Sequence, residues 1–164
     1  MSQEVLIELL HGKGSHANPI VAVQGLPLEL AGQRLKGQPF SIAQIMWHMN
    51  YWMDYELRRI GGETPAYPEH AAESWSAQLF TASEWDQIVA RFALLLAEIS
   101  ALAKSDTEVL NKEVKSTHSG HTQIASSLLA VLWQIVAHNS YHVGQIVLLR
   151  RMMNAWPEGV GDTW

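Results

Sequence analysis

Apolar residues recur along this chain at helical spacing, and the longest such run lies between about Ile124 and Met153. It holds no proline and a single glycine, Gly144, so it predicts one long helix. Within it Leu128, Val131, Ile135, His138, His142, Gln145 and Leu149 recur at steps of three and four. That is the stripe a bundle helix turns inward, so two histidines stand where aliphatic residues ordinarily go. A second helix is predicted from Ser41 to Ile60, because Ser41 and Gln44 form a capping box and Gly61-Gly62 ends the run. Ile42, Ile45, Met49 and Trp52 mark its apolar side, and His48 lies among them. Thr81 and Glu84 make another capping box, opening a helix from about Ala82 to Ala103. Its inward positions are Trp85, Ile88, Val89, Phe92, Leu95, Leu96 and Ile99.

The rest of the pattern is shorter. A short helical face spans Ser2 to His11, a second helix starts near Pro19 and reaches about Gln24, and Leu28 to Leu35 reads as a further short turn of helix. Glu63 to Phe80 holds Pro65 and Pro68 and shows no period, which predicts a surface connection crossing the bundle. Ser105 to His121 is polar; a hairpin around Glu113-Val114-Lys115 and a plain loop fit it equally. About four main helices with two long crossings predict an all-α fold, a single helical bundle domain over residues 1–164.

Composition narrows the function. With 48% hydrophobic and 16% charged residues the chain can build a sizeable core. A net charge of -5 and the lack of a basic stripe argue against nucleic acid as a partner. No apolar run has the length of a membrane span, and the acidic start Met1-Ser2-Gln3-Glu4 leads into no signal peptide, so the expected location is the cytoplasm. There is no cysteine, which removes disulfides, thiolate ligands and a cysteine nucleophile together.

Imidazole is then the candidate chemistry. His138 and His142 are four apart, one turn above each other, as a helix presents two nitrogens to one metal ion. The spacing alone is equally consistent with hydrogen-bonded core histidines, since the chain has eight. A zincin would need glutamate where Asn139 stands, which argues against that mechanism. His48 taken alone also reads more readily as a core residue. If the two helices face each other, His48, His138 and His142 converge, and three neutral imidazoles form an open site for zinc, nickel or iron.

The motifs resemble a known family. Ala137-His138-Asn139-Ser140-Tyr141-His142-Val143-Gly144-Gln145-Ile146 with Leu149-Arg150 is similar to the H-N-x-x-H-x-G-Q-I-x-x-L-R ending of DinB/YfiT-like proteins, metal-binding four-helix bundles with long crossover connections. Ser41 to Met49 resembles the family's first-ligand helix, a serine-capped start leading to one histidine. Ser15-His16-Ala17-Asn18-Pro19 is loosely similar to its W-H-G-P-S segment, without the tryptophan and glycine, so no role is assigned to His16. Trp156 to Gly159 and Asp162 to Trp164 resemble its tail. The resemblance implies one divalent ion per chain on His48, His138 and His142. It also implies a metal-dependent enzyme, a thiol transferase or a hydrolase acting on a small molecule, and a homodimer.

The residues refine this only in part. Three neutral ligands leave a dication's full charge to act on a bound water or thiolate, and any thiol must come from the substrate. Glu56, two turns after His48, is a candidate base, though a solvated helix-end glutamate is the simpler reading. Tyr51 is a candidate pocket wall, and Gln145 a candidate hydrogen-bond partner for a ligand ring. Tyr141 and Asn139 flank the ligands and point partly away from them. His118 and His121, in a glycine- and serine-rich stretch, read as solvated. Either of them filling a fourth ligand position would favour the alternative, a non-catalytic metal-tied bundle or a small-ligand sensor.

Overall fold

A computed structural model describes residues 3–115 and 126–159. Both predicted capping boxes form. Ser41 Oγ accepts from Gln44 N at 3.3 Å while Gln44 Oε1 accepts from Ser41 N at 3.1 Å, and Thr81 with Glu84 repeats the arrangement. They open α4 (Ile42–Ile60) and α5 (Ala82–Leu102), whose start residues are thus set by local chemistry. The chain begins with α1 (Gln3–Leu10), α2 (Pro19–Val23) and α3 (Leu28–Ala31), the last ending four residues before the predicted Leu35. Gly12, in the turn after α1, has φ +81°, and a Cβ there would lie 2.4 Å from His16 O.

The second crossing contains more structure than its polar composition suggested. Asp106 caps α6 (Thr107–Leu110), and β1 (Glu113–Val114) pairs antiparallel with β2 (Ser126–Ser127). This pairing delays α7 (Leu128–Met152) to a start four residues after Ile124, where Ser127 Oγ accepts from Ala130 N. The fold is all-α apart from this one hairpin among the described residues.

α4 packs against both α5 and α7, and the short α1 and α2 fill the fourth position against α5 and α7. Three neighbours therefore surround α7, and its buried arc is wider than the single stripe. Leu132, Val136, Asn139, Val143, Ile146 and Arg150 are buried beside the expected Leu128, Val131, Ile135, His142 and Leu149. On α5 the inward set is buried as expected, with Val89 half-buried. The first crossing does not stay on the surface. A single 3-10 turn, Ala71–Ser74, brings Ser74 to 1% exposure and sets Trp75 against α4.

Arg150 is 4% exposed and is held by carbonyls rather than carboxylates. Its guanidinium donates to Ala22 O at 2.9 Å, Gln24 O at 3.3 Å and Ala155 O at 3.1 Å. Two of these acceptors lie at the C-terminal end of α2, where a cation is favoured by the helix dipole. No helix is long and apolar enough to cross a membrane among the described residues.

Candidate metal centre

α4 and α7 bring His48, His138 and His142 together, one from the first helix and two from the second. His138 Nε2 lies 3.2 Å from both His48 Nε2 and His142 Nε2. An ion holding imidazole nitrogens at about 2.0–2.1 Å in tetrahedral geometry separates them by about 3.3–3.4 Å, close to these two distances.

The far sides of the rings decide where their protons sit. His142 Nδ1 donates to Gln145 Oε1 at 2.8 Å, and His48 Nδ1 faces Ser74 O at 3.3 Å. Both partners are acceptors, so these rings carry their protons on Nδ1 and turn bare Nε2 lone pairs towards His138. With its proton on Nε2, His138 can donate to one of them; with the proton on Nδ1, all three lone pairs can face one ion. Gln145 thus contacts a ring of the triad.

The rings are also held mechanically. Trp75 stacks on His48 with centroids 3.9 Å apart and planes 7° apart, and Phe40 stacks on the other side of Trp75 at 3.6 Å. Sequence reasoning missed Trp75 and Ser74, because an aperiodic, proline-containing stretch gives no sign of where it folds inward. The burial of Asn139 was not foreseen either. That side chain is 3% exposed and turns into the bundle, with Nδ2 3.4 Å from Met53 Sδ.

Burial keeps the imidazoles neutral. Desolvation is the main cause of the lowering of His48 and His138 to about 4, with His142 adding repulsion in both cases and His138 in the first. His142 is lowered for the same main reason, against the opposing hydrogen bond to Gln145. In metal-free protein the unfolded chain takes up these protons near its ordinary pKa of about 6.5 and the folded chain only near 4. Stability is complete above pH 6.5 and falls as the pH drops towards 4. After discounting for partial exposure, metal-free protein is expected to lose about 2 kcal/mol between pH 7 and 5. Urea unfolding at the two pH values checks this, and equal midpoints would refute it.

A cavity of ≈ 150 Å³ adjoins the triad, lined by His138, Asn139, Trp52, Met53 and Glu56. Glu56 is not the solvated glutamate that the sequence favoured. Its side chain is 14% exposed, Arg59 Nη1 donates to it at 2.6 Å, and burial raises its proton affinity against the lowering effect of Arg59. Tyr51 lines a different cavity, between α4 and α5, which none of the three histidines borders. His16 stays outside the cluster, with Nδ1 2.8 Å from Ala17 O. His118 and His121 lie outside the described residues.

No curated protein and no solved structure matches the chain. One family profile, described as the DinB superfamily, matches residues 17–146, a span that includes all three converging histidines. With the helical fold, the paired histidines of α7 and their partner on α4 in place, the chain belongs to the DinB superfamily.

Proposed function

We propose that this protein is a metal-dependent enzyme that transfers a thiol to, or hydrolyses, a small molecule, with His48, His138 and His142 holding one divalent ion, zinc or nickel first and iron as a further option. The observation that carries the reading is the cavity, because it puts a carboxylate, Glu56, and a converging histidine, His138, on the walls of one small space. When bound, the ion supplies a positive charge that lowers the proton affinity of a thiol or water beside it.

The chain's own residues supply the rest. Gln145 orients the ring of His142, and Ser74 and Trp75 hold that of His48. Trp52 and Met53 make the cavity wall apolar and limit water. Glu56, with its proton affinity raised by burial, accepts the proton released from the incoming group, and Arg59 fixes its orientation.

Cobalt-substituted protein tests the thiol reading. A low-molecular-weight thiol is expected to produce a sulfur-to-cobalt charge-transfer band, since the chain has no sulfhydryl of its own to compete. No band with any thiol tested would favour hydrolysis, and no exchangeable position at all would refute the enzyme reading.

The proposal includes a homodimer in the cytoplasm, with no nucleic-acid or membrane partner. The exposed Tyr141, Leu148 and Met152 along one side of α7 support pairing. Sedimentation is expected to give twice the 18.3 kDa chain mass, and a monomer at every concentration would refute it.

A further inference from the structure

The larger groove between α4 and α5 is separate from the metal centre. Its cavity of ≈ 450 Å³ is in the range of small-molecule sites, and none of the three histidines lines it. From the geometry we propose that it binds a small cationic alkylamine carried on a planar aromatic ring.

Its walls give the reasons. Trp47, a large aromatic left 39% exposed, meets Phe80 with ring centroids 5.9 Å apart. A ring sandwiched between two others needs about 7 Å between the outer centroids, so these two touch each other and, tilted by 32°, form a bent apolar wall against which a flat ring can rest. Asp54, Glu84 and Arg91 border the groove, and Arg91 is engaged by Asp54. Two carboxylates against one guanidinium leave the groove net negative, and the face of an indole also attracts cations. An anion is disfavoured on both counts.

Asn50, also lining the groove, adds an independent demand. It is 9% exposed, and its Nδ2 donates to Ile88 O at 2.8 Å, which fixes the amide's orientation. Its Oδ1 has no hydrogen-bond partner among the described residues. Buried acceptors are rarely left unmet, and an N–H donor is what this one lacks. A protonated amine on an aromatic body supplies the ring and the charge together, and its N–H groups are of the donor type that this buried oxygen lacks.

Titration calorimetry with tryptamine, and with indole-3-acetate as the same ring bearing the opposite charge, tests the assignment. Tryptamine is expected to bind at roughly 0.1–1 mM, and indole-3-acetate at least tenfold more weakly. Trp47→Ala, at an exposed position that leaves the core intact, should weaken tryptamine about tenfold. Asp54→Asn should weaken it several-fold. Zinc should change none of these values, because the groove does not include the histidines. Absence of tryptamine binding, equal binding of the two probes, or unchanged binding by Trp47→Ala would overturn the proposal. So would displacement of tryptamine by zinc, which would place the amine on the histidines instead.

Discussion

Replacing His48 by alanine is expected to weaken divalent-metal binding by about a hundredfold or more while leaving helical content unchanged. His48 is the informative member of the triad because it alone comes from α4. His138 and His142, one turn apart on α7, would remain as a two-nitrogen site of the kind a surface helix can offer. The third nitrogen, 3.2 Å from His138 Nε2, makes the difference between such a site and one that resists competition. His138→Ala and His142→Ala should lose as much. Gln145→Ala should lose less, about tenfold, because it removes the acceptor that orients His142 and keeps all three donors. Competition against a chromophoric chelator, with far-ultraviolet dichroism as the check on folding, measures each value. If His48→Ala binds zinc as tightly as the parent, the convergence of α4 and α7 is not the binding site.

Arg150→Met should destabilise the fold by about 3 kcal/mol without touching the metal centre. Methionine retains the apolar stem and removes the five donors. Ala22 O and Gln24 O at the end of α2, and Ala155 O beyond α7, then lose a charged partner. Hydrogen bonds to a charged group contribute about 1.5–3 kcal/mol each, and relief of the buried cation's desolvation offsets part of the sum. For a domain of this size the loss corresponds to roughly 6–12 °C in Tm. Arg150→Lys should recover only part of it, because an ammonium does not reproduce the planar fork that reaches several carbonyls at once. A melting temperature for Arg150→Met within a degree or two of the parent would show that these contacts contribute little.

What could be read from the sequence was the chemistry written within a few residues. Ser41 with Gln44 and Thr81 with Glu84 set two helix starts because each cap closes over three positions. The two α7 histidines were legible for the same reason, since four residues make one turn. His48 could be placed beside them only by supposing that two helices face each other. Trp75, Ser74, Asn139 and Arg150 were not legible. Trp75 is defined by stacking on the ring of His48, 27 positions earlier in the chain, and nothing in its own neighbourhood encodes that choice. Asn139 and Arg150 lie on an arc of α7 that the single stripe did not include. Packing by α1 and α2, which few local signals announced, buries them. Glu56 was read as solvated because its helix position says nothing about the Trp52 and Gln134 walls that enclose it.

The convergence of α4 and α7 has a consequence for chain topology. His48 and His138 are 90 residues apart in sequence. A chain without cysteine cannot close such a loop with a disulfide. An ion shared by the two helices would act as a reversible cross-link, removing from the unfolded ensemble the entropy of a loop of that length, about 4 to 5 kcal/mol for a permanent bond. The resistance of the fold to unfolding would then rise with the logarithm of free metal concentration once that exceeds the dissociation constant. In that state the fold's durability is set by the supply of ion as much as by the packing of its core.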